Sequence, residues 1–99
     1  MPEGMLQDLP EGMGQEQYDA INARMDVEND PPDGLIFHSA GEGPTGRWRI
    51  VDVWESRQHY QRFFEERLGP AITEVSGQEP GQGEAPDTTW WSVHSVINP

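Results

Sequence analysis

With 18 acidic and six basic residues among 99, the chain carries a formal net charge of −12, and such a surface repels nucleic acids and anionic membranes. It contains neither lysine nor cysteine, which excludes a lysine Schiff base and a thiol nucleophile. A domain with 33% hydrophobic residues buries only a thin core, so we expect a homodimer. No apolar run approaches the roughly 20 residues of a membrane-spanning helix, and the N-terminus lacks the features of a signal peptide, so we expect a cytoplasmic protein.

The first part of the sequence predicts one strand and one helix. Residues 4–9 form a short strand candidate that ends at Pro10. Apolar residues at helical spacing then predict helix one over Gln15–Met25. Gly14 is its expected N-cap, and Gln17 stands at the position from which a side chain reaches back to the cap.

A hairpin is predicted in the middle of the chain. Residues 29–34 contain two prolines that close off helix one, and residues 35–40 follow as the second strand. A glycine-rich connection at 41–46 joins this strand to a third at 47–55, so the two are expected to be antiparallel neighbours. The connection GEGPTG lacks the lysine and the following helix of a phosphate-binding loop, and we interpret it as a turn.

The second helix follows the third strand almost without a loop. Ser56 is a good N-cap residue because its hydroxyl can accept a backbone N–H of the first turn. One apolar stripe then recurs at helical spacing, made of Tyr60, Phe63, Phe64 and Leu68. The pair Gly69 and Pro70 interrupts this pattern, and a short extra helical segment is predicted to end near Gly77.

The rest of the chain completes a predicted α+β fold. Residues 76–89 are rich in glycine, proline and glutamate and predict a flexible loop, and residues 90–97 predict a last strand. The order β-α-β-β-α-β within one domain, 1–99, predicts a ferredoxin-like fold with an antiparallel four-stranded sheet and two helices on one face. Pairing of two such sheets would cover the apolar side chains of the other face.

Several segments of the chain together resemble a known superfamily. The segments IVDVWES and HYQRFFEERLGPAI, with the strands GLIFH and SVHSVI, are similar to the dimeric α+β barrel proteins related to the antibiotic biosynthesis monooxygenases. The resemblance spans nearly the whole chain in its order of elements. It implies that two ferredoxin-like subunits pair their sheets into a barrel and that each holds a small ligand between helices and sheet. Members include cofactor-free monooxygenases, haem-degrading enzymes, isomerases and cyclases.

The haem-degrading branch can be compared with this chain residue by residue. That branch uses an asparagine on the first strand, a tryptophan within the second helix and a histidine at the end of that helix. This chain has Gln7 on the first strand and Phe63 and Phe64 in the helix, and residues 69–75 contain no histidine. Haem degradation by that mechanism is therefore disfavoured, while haem binding through another histidine stays open.

Histidines are the candidates for a general base, because histidine is the side chain whose unperturbed pKa lies near neutrality. The chain has His38, His59 and His94, whose wide spacing gives no metal-binding pair, so we expect neither a metal nor another cofactor. His38 and His94 lie in predicted strands and could point into a pocket. The alternative for each is a structural, hydrogen-bonded side chain.

Two charged residues of the third strand are further candidates. If Ala40 pairs with Arg47 across the hairpin, His38 falls beside Arg49, which places a base next to a cation that could hold an enolate or phenolate. A register shift by one residue would reverse this arrangement. The alternative for Arg49 is an ion pair with Glu55 or Asp52 on the surface. Asp52 is an acid among apolar neighbours, so it either finds hydrogen bonds in a site or pairs with an arginine at an edge or interface.

Aromatic residues could form the wall of a pocket for a flat apolar molecule, and core packing explains them equally. They are Trp48, Trp54, Tyr60, Phe63 and Phe64. The leading hypothesis is an enzyme that acts on an aromatic or polyketide-like molecule by cofactor-independent oxygenation or by related proton transfer, such as cyclisation or isomerisation. His38 or His94 would be the base and Arg49 the anion stabiliser. The alternative is a noncatalytic dimeric module that binds a ligand or a partner protein.

Overall fold

A computed structural model describes residues 1–77 and 86–97 of the chain. Its elements are β1 (Glu3–Asp8), α1 (Gln15–Met25), β2 (Leu35–Glu42), β3 (Trp48–Trp54), α2 (Arg57–Phe63), a π-helical segment (Phe64–Leu68), α3 (Gly69–Ser76) and β4 (Asp87–Ser92). The strands form one antiparallel sheet in the order β2-β3-β1-β4. The predicted ferredoxin-like α+β fold is therefore confirmed.

Helix α1 begins and ends at the predicted residues. At its start, the backbone N–H of Gly14 donates to the side-chain oxygen of Gln17 at 3.0 Å, as the sequence predicts. At its end, Asp26 adopts a left-handed conformation with φ of 56°, and its N–H donates to the carbonyl of Asn22 at 2.9 Å. Local hydrogen bonds thus fix both ends of the helix.

The second helical region is continuous through α2, the π-helical segment and α3, so the predicted interruption is not a break. It starts at Ser56, whose hydroxyl accepts a backbone N–H of the first turn, as predicted. In the π-helical segment the N–H of Gly69 donates to the carbonyl of Phe64, five residues back. Pro70 has no N–H to donate, and the wider turn before it lets the chain stay helical. No helix among the described residues, this one included, is long and apolar enough to cross a membrane.

The β2–β3 hairpin is tighter than predicted, because β2 continues to Glu42. The N–H of Gly43 donates to the carbonyl of Arg47 at 2.8 Å, and Gly46 closes the turn in a left-handed conformation with φ of 85°. In the resulting register Ala40 pairs with Ile50, whereas the sequence suggested Arg47. A shift of three residues is odd, so it changes which side chains share a face.

Strand β4 lies earlier in the chain than the predicted strand at 90–97. It pairs with β1 so that Ser92 stands opposite Glu3, and the N–H of Val93 donates to the carbonyl of Pro2 at 2.9 Å. Residues 94–97 continue without strand pairing, although Val96 and Ile97 are apolar and β-branched.

The predicted loop at 76–89 is shorter in the structure. Ser76 is the last residue of α3, and Asp87 is the first residue of β4, so both ends of the predicted loop belong to regular elements. The pairing of Asp87 with Asp8 of β1 explains the early start of the strand. Residues 78–85 lie outside the described part of the chain, and their flexibility stays a prediction.

Alternation along the strands divides the side chains between a helix-covered face and an open face. Met5 and Trp54 are the largest fully buried side chains of the covered face, each 1% exposed. On the open face, Phe37 and Trp91 are each 42% exposed. The indole of Trp91 lies directly over Gly4, where a Cβ atom would have no room. The core is therefore thin, and large aromatic side chains of the open face contact solvent.

Candidate functional site

A buried acid on β3 is the starting point of the site. Asp52 is only 5% exposed, and each of its carboxylate oxygens has a donor. Oδ1 lies 2.5 Å from Nδ1 of His38, and Oδ2 accepts the indole N–H of Trp54 at 3.2 Å. The register of β2 on β3 causes the first contact, because it places His38 directly opposite Asp52. Two donors compensate the burial of this carboxylate.

The second ring nitrogen of His38 continues the chain of hydrogen bonds. The hydroxyl of Tyr18, on α1, lies 2.5 Å from Nε2 of His38. A carboxylate can only accept, so Nδ1 of His38 carries the hydrogen donated to Asp52. In the neutral imidazole, Nε2 then accepts the hydroxyl hydrogen of Tyr18. We call Tyr18, His38 and Asp52 the proton relay.

The environment of Tyr18 keeps its phenol protonated. Burial raises the pKa of Tyr18, and the negative charges of Asp52, Asp19 and Glu28 raise it further, whereas a hydrogen bond with the side chain of Asn22 acts in the opposite direction. The phenol is consequently a hydrogen-bond donor at neutral pH. The ring of Trp48 packs beside it, with centroids 5.5 Å apart.

An aromatic pocket of about 420 Å³ lies elsewhere on the covered face, between α2 and the strands β1 and β4. Its polar centre is Gln7, whose amide N–H₂ donates to the hydroxyl of Tyr60 at 3.2 Å and to that of Thr88 at 3.3 Å. The size lies within the range of small-molecule sites. We call this cavity the aromatic pocket, and it is lined by Gln7, Arg57, Tyr60, Gln61, Phe64, Pro86 and Trp90.

Tyr60 is the ionisable phenol of the aromatic pocket. Burial raises its pKa, a hydrogen bond from Gln7 partly offsets this, and the charge of Asp52 adds to the increase. Its ring makes edge contacts with Trp54 and Trp90, each at 5.5 Å between centroids. The guanidinium carbon of Arg57 lies 5.1 Å from the centre of the Trp90 ring, at the mouth of the pocket. The pocket thus combines flat apolar walls, a phenol donor and a nearby cation.

A larger cavity of about 490 Å³ lies between the N-terminus of α1 and the β2–β3 turn. Glycines and polar residues dominate its lining, which includes Glu11 and Glu16 but no aromatic ring. Ligand pockets are usually lined by apolar and aromatic side chains. We therefore favour the aromatic pocket as the ligand site.

The predicted site residues fall into separate places. His38 and Asp52 meet in the proton relay, with Trp48 packed against Tyr18. Tyr60 and Phe64 line the aromatic pocket. Trp54 and Phe63 pack against each other behind it, with centroids 5.5 Å apart. These last two residues pack as the core-packing alternative predicted.

The predicted pairing of His38 with Arg49 is wrong. The odd register shift places Arg49 on the open face, where its guanidinium binds the carboxylate of Asp8 at 2.8 and 3.2 Å. That pair lowers the pKa of the Asp8 carboxyl, first through the hydrogen bond with Arg49. Arg49 therefore pairs with Asp8 and cannot reach an anion bound on the covered face.

The other two histidines lie outside both groups. His94 is exposed and follows the end of β4, so it does not occupy the predicted mid-strand position. His59 belongs to the first turn of α2, where Nδ1 lies 2.7 Å from the hydroxyl of Ser56 and Nε2 lies 3.6 Å from Glu55. Within residues 1–77 and 86–97, no group of three or more His, Cys, Asp or Glu side chains could hold a metal ion.

Sequence reasoning missed Tyr18, Gln7 and Trp90 as site residues. Tyr18 belonged to the apolar stripe of helix one, which is the usual position of a core residue. Gln7 is the polar residue between the apolar Met5 and Leu9, which share its face of the strand, and it is only 7% exposed. That polarity was the available signal, because a buried amide must find hydrogen-bond partners.

No protein-family model matches the chain, and no curated protein sequence matches it. Its fold matches solved structures over nearly the whole length. SnoaB, a cofactor-independent oxygenase from Streptomyces nogalater, is 9% identical, with a TM-score of 0.64 over 99% of this chain and 98% of its own. A candidate antibiotic biosynthesis monooxygenase from Caulobacter crescentus is 13% identical, with a TM-score of 0.65 over 95% and 91%. The hydroxynitrile lyase from Passiflora edulis is 14% identical, with a TM-score of 0.53 over 98% and 96%.

These likenesses establish the fold. The chain has the fold of the antibiotic biosynthesis monooxygenase-like proteins, and the resemblance predicted from its sequence is confirmed at that level. The same fold also carries a hydroxynitrile lyase. One fold hosts different reactions, so the reaction of this chain has to be argued from its own side chains.

Proposed function

We propose that this protein is an enzyme that binds a planar aromatic or polyketide-like small molecule in the aromatic pocket. The reaction is cofactor-independent oxygenation or a related proton transfer, such as cyclisation or isomerisation. The observation that carries the proposal is the pocket itself, in which Gln7 and Tyr60 present polar atoms between the aromatic walls. The shared fold of a cofactor-independent oxygenase supports it.

The pocket favours a flat molecule that can become an anion. Phe64 and Trp90 offer ring faces and edges to such a molecule. Arg57 stands beside Trp90, and its side chain is 57% exposed, with Glu3 as a partner at 3.4 Å. This cation can attract an ionised phenol or enol to the mouth of the pocket, although the chain as a whole is acidic.

Tyr60 has the central role in the proposed chemistry. Its oxygen accepts a hydrogen from Gln7, which leaves its own O–H directed to a substrate oxygen. A raised pKa keeps this phenol protonated, so it can stabilise a developing enolate or phenolate by donating a hydrogen bond. In an oxygenation, the electron-rich substrate carbanion reacts with O₂. One oxygen atom becomes a carbonyl, and the other leaves as water with the two hydrogens lost from that carbon.

None of the predicted catalytic residues is among the described residues that line this pocket. His38 stays the candidate base for proton-transfer chemistry because Asp52 orients its ring, but it belongs to the proton relay and does not line the pocket. Arg49 lies on the open face and His94 lies beyond β4, so we assign neither to the reaction. The pocket and the relay are linked through Asp52, whose charge raises the pKa of Tyr60 after the larger effect of burial.

The test is oxygen uptake and product analysis with bicyclic phenols and tricyclic polyketide-type enols, in buffer without added metal or flavin. We expect turnover by the wild-type protein and a loss of about a hundredfold in Tyr60→Phe, which removes only the hydroxyl. His94→Gln, at an exposed residue beyond β4, is the control and should retain the wild-type rate. Equal rates in wild type and Tyr60→Phe would contradict the role of the phenol.

A noncatalytic ligand-binding module is the second candidate, and one observation favours it. Among the described residues that line the two cavities, none is a histidine. A binding site needs no base, whereas proton abstraction does. Quenching of tryptophan fluorescence by a compound that is recovered unchanged, without oxygen uptake, would establish this alternative.

We also propose that two copies pair through their open faces. Phe37 and Trp91 are each 42% exposed there. A monomer of this size gains stability when a second copy covers such a surface. Light scattering should give the mass of a dimer, and Phe37→Asp should shift the protein to a monomer. A wild-type monomer at high concentration would exclude this pairing.

A further inference from the structure

The proton relay and the aromatic pocket share no residue and occupy different strands. The relay joins α1 to β2 and β3, whereas the pocket lies between α2 and the strands β1 and β4. We propose that the relay is a second proton-transfer centre, in which the phenol oxygen of Tyr18 takes a proton from a small planar molecule carrying an acidic O–H or an enolisable C–H. This inference does not depend on the reaction proposed for the pocket.

The geometry makes Tyr18 the group that meets the substrate. Both ring nitrogens of His38 are engaged, Nδ1 by Asp52 and Nε2 by Tyr18, each at 2.5 Å. Both imidazole nitrogens are therefore occupied, and the phenol oxygen is the relay atom left to take a proton from a substrate. Access exists at the side of the sheet, because β2 is an edge strand and the His38 side chain is 34% exposed. Trp48 adds a flat apolar surface next to the Tyr18 ring.

Asp52 supplies the charge that makes this proton movement favourable. Its side chain is 7% exposed, and a buried carboxylate is costly unless it is paired. A proton that reaches His38 turns the neutral ring into an imidazolium directly beside this carboxylate. Asp52 also fixes the ring orientation and the tautomer of His38, with help from the indole N–H of Trp54. Asp52 is thus a positioning residue for Tyr18.

The proposed step is balanced within the relay. The O–H bond of Tyr18 breaks as its proton moves to Nε2 of His38, and the phenol oxygen takes the proton of the substrate. The substrate is left as an anion, and His38 is left as a cation paired with Asp52. The imidazolium then releases its proton to solvent at the exposed edge. No oxidant or reductant takes part in this step.

The environment of Tyr18 explains why its proton needs an acceptor. Burial raises the pKa of this phenol, and the surrounding carboxylates of Asp52, Asp19 and Glu28 add to the effect. A free phenolate is therefore disfavoured at neutral pH, so ionisation of Tyr18 has to be coupled to proton transfer onto His38. The reactivity of Tyr18 should depend on His38 for this reason.

Chemical labelling with benzenesulfonyl fluoride tests the relay without knowledge of the substrate. The phenol oxygen attacks sulfur, an S–O bond forms, the S–F bond breaks, fluoride leaves, and the phenol proton passes to the base. The chain has only two tyrosines, and cleavage after arginine places them in separate peptides, residues 1–24 and 58–62. Mass spectrometry of these peptides gives the labelling rates of Tyr18 and Tyr60 from one sample.

We expect Tyr18 to react faster than Tyr60 in the wild-type protein, and His38→Gln to slow the labelling of Tyr18 at least about tenfold. Asp52→Asn, nearly isosteric, should also slow it, while the rate of Tyr60 stays within about twofold. His94→Gln is the matched control, because it removes an exposed histidine outside the relay, and it should leave the rate unchanged.

Two results would overturn the inference. If Tyr18 reacts no faster than Tyr60, the phenol is not activated. If His38→Gln and Asp52→Asn leave its rate unchanged while circular dichroism shows them folded, the relay only satisfies the buried carboxylate. If Asp52→Asn unfolds, His38→Gln still tests the proposal, because the His38 side chain lies at the exposed edge of the sheet. These labelling rates do not depend on turnover in the aromatic pocket. Failure of the proposed function would leave them unchanged, so it can be distinguished from failure of this inference.

Discussion

The proton relay and the aromatic pocket lie on the same face of one sheet, yet each contains what the other lacks. The relay has three hydrogen-bonded ionisable groups and opens to solvent at an edge strand. The pocket is an open depression of about 420 Å³ lined by aromatic rings, and none of its described lining residues is a histidine. Acid–base groups and ligand space are therefore separate features of this fold, and a cavity by itself does not locate the reactive residues.

Trp54 connects the two regions. Its indole N–H donates to Asp52 in the relay, and its ring lies 5.5 Å from that of Tyr60 in the pocket. It is also one of the two most buried large side chains. A change at Trp54 should disturb both regions, whereas changes at His38 and Trp90 should each disturb one.

Trp54→Ala is expected to have the largest effect, a loss of about 3–5 kcal/mol in the free energy of unfolding, because it leaves a cavity in a thin core. Urea denaturation followed by circular dichroism measures this loss. Trp54→Phe is the control, since it keeps an aromatic ring but removes the donor to Asp52. Its cost should be only about 1–3 kcal/mol. Equal losses in the two variants would show that ring volume is not what matters at this position.

His38→Ala should destabilise the protein by about 1–3 kcal/mol, because it leaves the buried carboxylate of Asp52 with one donor fewer. The same denaturation experiment on His94→Ala provides the comparison. That exposed residue should change stability by no more than about 0.5 kcal/mol. If both substitutions had the same small effect, the contact between His38 and Asp52 would contribute nothing to stability.

Trp90→Phe should weaken ligand binding in the aromatic pocket about threefold to tenfold, because part of an aromatic contact is lost. Trp91→Phe makes the same chemical change on the adjacent residue, which faces the open side. Its dissociation constant for the same ligand should stay at the wild-type value. Isothermal titration calorimetry on both variants gives the comparison. Weaker binding in Trp91→Phe alone would move the ligand site to the open face.

Stability should fall in alkaline solution, with a contribution from each region. Burial raises the folded-state pKa of both Tyr18 and Tyr60 above the ordinary value of 10.0. The folded protein then holds these protons more tightly than the unfolded chain, so their contribution is complete below that value. It is lost as the pH rises through the folded-state pKa. The urea concentration at the unfolding midpoint should be measured at a pH below and a pH above this window. Its decrease between the two should be smaller in Tyr60→Phe than in wild type, and an identical decrease would contradict the assignment.

The helices and strands could largely be predicted from the sequence because their signals are local. The bounds of α1 and the capping roles of Gly14 and Ser56 depend on contacts within a few residues. The errors occurred where a non-local partner decides. Strand β4 is placed by its pairing with β1, and residues 94–97 after it pair with no strand. Composition alone could not show this.

The candidate site was predictable only in part. His38, Asp52 and Tyr60 were identified because ionisable residues among apolar neighbours are unusual. Their partners were not identified. Tyr18 is 20 residues from His38, and Gln7 is 53 residues from Tyr60, so each contact depends on how a helix packs over the sheet.

By itself, the sequence determined the order of elements, the helix caps and the ferredoxin-like fold, since periodicity and capping act over a few residues. Only the tertiary structure decided that His38 meets Asp52 and that Arg49 lies on the other face. The physical reason is the two-residue period of a strand. A tighter hairpin turn shifts the register by an odd number of residues, and that shift moves a side chain from one face to the other without any change in composition.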